Sequence, residues 1–66
     1  MHYFDYQKVA TEAKIPKIKL EDLAKAVRQE FPKDDMMFEL HLMRVCMSVR
    51  DGHVNVDEAI RTEKAA

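Results

Sequence analysis

Cys46 and His41 carry the side chains of this 66-residue chain best suited to nucleophilic chemistry. A thiolate nucleophile needs a base within hydrogen-bond reach. Both residues fall in the stretch DMMFELHLMRVCMSVRDG, whose apolar spacing predicts a single helix. Five positions apart on a helix, they point in well-separated directions and form no local pair. Cys46 sits beside apolar positions and reads as a small buried residue. His2 and His53 are remote in sequence, and no Cys or His pair has zinc-ligand spacing. A single glycine leaves no Gly-rich phosphate loop. The expectation is no catalytic residue, no cofactor, no metal ligand and no enzyme activity.

The stretch DGHVNVDE, residues 51–58, imitates the second half of a calcium loop, with Gly at the sharp turn and Glu at the closing position. The leading carboxylates are missing, because Met47 and Val49 stand where they belong. A glycine helix stop, a hydrophobic staple at Val54 and a capping box from Asn55 to Glu58 yield the same spacing. Folding without metal is expected. The acid pairs Glu21–Asp22, Asp34–Asp35 and Asp57–Glu58 each lie in or next to the first turn of a predicted helix. Negative charge there complements the helix macrodipole, which accounts for them without acid–base catalysis.

Residues 9–23, VATEAKIPKIKLEDL, raise a different possibility. Ala10, Ala13, Ile15, Leu20 and Leu23 fall at the packing positions of a helix-turn-helix. Lys14 takes the turn position that must tolerate a positive φ and so prefers glycine. The face that would read a groove presents Pro16, Lys17, Ile18, Glu21 and Asp22. Two carboxylates there oppose a polyanion, and no Arg, Asn or Gln is placed for bidentate base contacts. Lys14, Lys17 and Lys19 could meet phosphates only. A DNA-binding regulator is therefore the alternative reading, ranked below a protein-interaction module.

Four helical segments would position these residues. The first runs from Tyr6 to about Lys14, with Asp5 as N-cap. The second lies between Pro16 and Phe31, with Leu20, Leu23, Ala24, Val27 and Phe31 at helical spacing. The third starts at a cap on Asp34 or Asp35 and ends at Gly52. A short fourth follows Asn55, anchored by Ile60. The fold class is all-α, one domain over residues 1–66: three main helices plus a short C-terminal one, with a helix-turn-helix-like crossing between the first two.

The third segment carries two apolar stripes. Phe38, Leu42, Val45 and Val49 form one, and Met36, Leu40, Met43 and Met47 the other. A helix apolar on most of its circumference must be covered on more than one side. Methionine fills core gaps and also populates adaptable binding surfaces. So short a chain has few residues with which to cover both stripes. The Met stripe is therefore the expected contact surface, for a homodimer or a helical protein partner.

Composition agrees with a small helical domain. Apolar residues make up 47% and charged residues 35% of the chain, a globular balance rich in helix-favouring side chains. The net charge is −1, with +2 in residues 1–33 and −3 in residues 34–66, far from the basic field of a nucleic-acid binder. One cysteine fits a reducing compartment. No basic-then-apolar leader opens the chain, and no run approaches the roughly 20 apolar residues that span a bilayer. A cytoplasmic, membrane-free protein is expected.

Overall fold

The helices begin where the sequence supplies oxygen acceptors for the orphan amides of a first turn. In a computed structural model, which describes residues 3–65, these are α1 (Tyr6–Glu12), α2 (Lys17–Glu30), α3 (Asp35–Arg50) and α4 (Val56–Ala65). The Asp5 carboxylate accepts the Lys8 amide at 3.0 Å and the Asp34 carboxylate accepts the Met37 amide at 3.0 Å. Asn55 Oδ1 accepts the Glu58 amide at 2.8 Å, while its Nδ2 donates to Glu58 Oε1 at 2.8 Å. Each such cap contributes about 1 kcal/mol. α2 starts instead after Pro16, whose missing N–H costs nothing at that position.

Two helices end in the same hydrogen-bonded turn. After α1 the Lys14 amide donates to the Thr11 carbonyl and the Ile15 amide to the Ala10 carbonyl, with Lys14 at φ +59°. After α3 the Gly52 amide donates to Val49 and the His53 amide to Ser48, with Gly52 at φ +81°. Both are Schellman closures. The left-handed residue expected at Lys14 is present, and α1 stops at Glu12, two residues short of the sequence boundary.

A single apolar cluster holds the four helices together. Leu23 and Val27 from α2 meet Leu42 and Cys46 from α3, all fully buried, with Val9, Ala10, Phe38, Ala59 and Ile60 around them. α1 packs chiefly on α3, and α2 packs on α4 and α3, while contact between α1 and α2 is slight. A groove of about 200 Å3, lined by Tyr6, Gln7, Lys17, Leu20, Glu21 and Ala24, runs between those two. The ranking of lengths also differs from expectation: α1 has seven residues and α4 has ten. All are helices of one small bundle, and among the described residues no strand forms.

Ion pairs mark the relative direction of the helices. Lys19 reaches Asp57 at 2.8 Å, joining the starts of α2 and α4, so the two run in the same sense. Arg50 reaches Glu12 at 3.0 Å, joining the ends of α3 and α1. At the opposite end Tyr6 and Phe38 meet edge to face with ring centroids 6.1 Å apart. Arg28 lies 3.8 Å over the Phe38 ring and donates to Asp35 at 2.8 Å, tying α2 to the start of α3. Among the described residues no helix is long and apolar enough to cross a membrane.

Candidate functional site

The end of the bundle where α2 stops and α3 begins gathers most of the chain's unusual chemistry. Glu39 is buried although charged, and its Oε1 accepts the backbone amides of Tyr3 at 2.7 Å and Phe4 at 3.0 Å. Those two bonds hold the N-terminal segment against α3. Tyr3 is thereby fixed in place yet 53% exposed.

Beside it lies an open groove of about 660 Å3. Tyr3, Phe31, Pro32 and Met36 supply its apolar lining, and Glu30, Lys33, Asp34 and Asp35 supply a rim of mixed charge. Met36 is 49% exposed. Among the described residues the large exposed apolar side chains are few: Tyr3, Met36 and, at the start of α2, Ile18. Two of the three share this groove.

Behind the groove three polar side chains converge from three helices. His41 of α3 places Nε2 at 2.7 Å from Glu63 Oε1 of α4 and at 3.7 Å from Glu30 Oε2 at the end of α2. Glu63 is the most enclosed of the three, its side chain 11% exposed. A hydrogen bond to Glu63 holds the Glu30 carboxyl above its ordinary range; desolvation and the Glu63 charge push the same way, while His41 opposes them. Phe31 leans on the His41 ring with centroids 5.7 Å apart, linking cluster and groove. No family model, curated protein or solved structure matches this chain. What the site can do must be read from its own geometry.

The residues singled out from the sequence fall into different environments. Of the Met stripe, Met36 is exposed and Leu40 half-buried, whereas Met43 and Met47 pack against the chain's own core. Lys14 and Lys17 are exposed, as are Pro16, Ile18, Glu21 and Asp22. Lys19 spends its charge on Asp57. Cys46 is fully buried, and desolvation pushes its thiol up to about 11, which leaves it inert at neutral pH. Asp51 is engaged by Arg50 and Glu58 by Asn55, so both ends of the calcium-like stretch serve helix termini. His2 lies outside the described residues.

The Glu30–His41–Glu63 cluster has no local sequence signal. Eleven and twenty-two residues separate His41 from its partners. Only the shared direction of α2 and α4, which pack along each other, brings the two glutamates together. Glu39 was equally hidden, since a lone glutamate among apolar residues reads as a solvated position.

Proposed function

We propose that this chain is a small interaction module that self-associates through the apolar groove formed by Tyr3, Phe31, Pro32 and Met36. The observation that carries the reading is the concentration of exposed large apolar side chains in one place: Tyr3 and Met36 line the same groove. Isolated exposed apolar residues need no explanation, but a contiguous patch marks an interaction site. Tyr3 is held there by backbone bonds to buried Glu39, so its ring is presented at little further entropic cost.

A second copy of the chain suits the rim. Lys33 sits beside Asp34 and Asp35, so a two-fold axis through the groove would set the lysine of one protomer against the acids of the other. A strongly acidic partner would meet repulsion from the three carboxylates of that rim. The patch is small, which places the contact among weak interfaces burying less than about 1,200 Å2. The free cations of α2 do not favour DNA, because Lys19 is paired and Glu21 and Asp22 are exposed beside Lys17.

Sedimentation across a range of concentrations tests the reading. Wild type should shift from monomer to dimer as concentration rises, and Met36→Glu should remain a folded monomer throughout. Met36 is the position to change, since a charge at Met43 would enter the protein's own core packing. A wild type that stays monomeric at millimolar concentration would refute self-association.

A further inference from the structure

We propose that Glu30, His41 and Glu63 form a binding site for one divalent transition-metal ion of the zinc type, with water completing its coordination. Each residue offers one donor atom, and the three donors lie within 4.8 Å of one another. Among the described residues they are the one group so arranged. On a tetrahedral ion with bonds of about 2.1 Å, donors stand roughly 3.4 Å apart. The His41–Glu30 separation of 3.7 Å already approaches that value, and the His41–Glu63 contact of 2.7 Å needs to open by less than an ångström. All three ligands come from one chain, so the site does not depend on self-association.

The donor set selects the class of ion. Calcium seeks six to eight oxygens and magnesium an octahedron rich in water, whereas an imidazole nitrogen with two carboxylates suits zinc, manganese or ferrous iron. Three protein ligands at a partly exposed position leave room for water, the pattern of an open rather than a closed zinc site. Electrostatics favour a cation as well, because carboxylates from two helices face the same imidazole nitrogen at 2.7 and 3.7 Å.

An ion held there would cross-link the ends of α2 and α4 to α3. Cys46 does not compete, being fully buried with a thiol pushed up to about 11. His53 is exposed in the α3–α4 turn and provides a control.

Calorimetric titration of the full chain, stripped of metal, with zinc chloride tests the site, and the visible absorption of a cobalt(II) form reports its coordination. One equivalent should bind. Glu30→Gln and His41→Ala should each weaken binding by at least about tenfold, a loss that even removal of an outer partner of a metal ligand can cause. His53→Ala should bind as wild type does. If His41→Ala proves unfolded by circular dichroism, the isosteric Glu30→Gln decides. Absence of binding, or binding that neither variant weakens, would overturn the site and leave the cluster as a polar lock between helices.

Discussion

The two ends of the Met stripe on α3 have similar sequences and opposite surroundings. Met43 and Met47 lie where the bundle is closed and pack against its core. Met36 lies where α3 has just begun, and it shares with Tyr3, Phe31 and Pro32 an open groove that they line rather than fill. Periodicity along one helix places residues on a face, but coverage of that face is decided by how far the other helices extend. α1 is only two turns long and ends beside Arg50, and α4 reaches back along α3 to His41 through Glu63. On its Met36 side, the first turn of α3 faces the N-terminal segment and the α2–α3 loop.

The largest effect expected from this contrast is in the closed core. Leu42→Ala, removing a fully buried side chain, should lower stability by about 2–5 kcal/mol, whereas Met36→Ala should change it by less than about 0.5 kcal/mol. Urea unfolding of both variants at low protein concentration makes the comparison, and equal losses would erase it. A smaller effect, of opposite sign, is expected at the closed end. Lys14→Gly relieves a positive φ that disfavours a side chain and should raise stability by about 1 kcal/mol without altering self-association. A dimerisation constant that moved with it would mean that the groove reports general fraying.

The smallest effect belongs to the open end and depends on pH. The folded state raises the Glu30 carboxyl above its unfolded value, chiefly through Glu63, so protonation is favoured by folding. That contribution is present at acid pH and lost as pH rises through the folded value. Glu30→Gln, which keeps the hydrogen-bonding shape without the charge, should therefore be the more stable protein at pH 7 in a chelating buffer. Its advantage should shrink on acidification, as thermal unfolding at several pH values will register.

Much of this architecture is legible in the sequence because it is local. Asp5, Asp34 and Asn55 cap the helices they precede, and Gly52 and Lys14 take the left-handed positions that their places in the chain require. The buried faces are legible only approximately. On α3 the fully buried line passes through Phe38, Leu42 and Cys46, while Val45 and Val49 are half-buried, so the core arc is turned towards the Met stripe. α1, α2 and α4, packed around α3, decide that rotation, and no pattern within α3 encodes it. The same holds for the convergence of Glu30, His41 and Glu63 and for the buried role of Glu39. Both arise from helix directions fixed by contacts many residues away.

Methionine methyl resonances offer the most direct view of the difference between the two ends. The five methionines of the chain can be labelled on their methyl carbons and assigned by substitution. On dilution from high to low concentration, the Met36 signal should move as dimers part, while those of Met43 and Met47 hold still. Signals that all stay fixed, or movement confined to Met43 and Met47, would contradict self-association through the open end of α3.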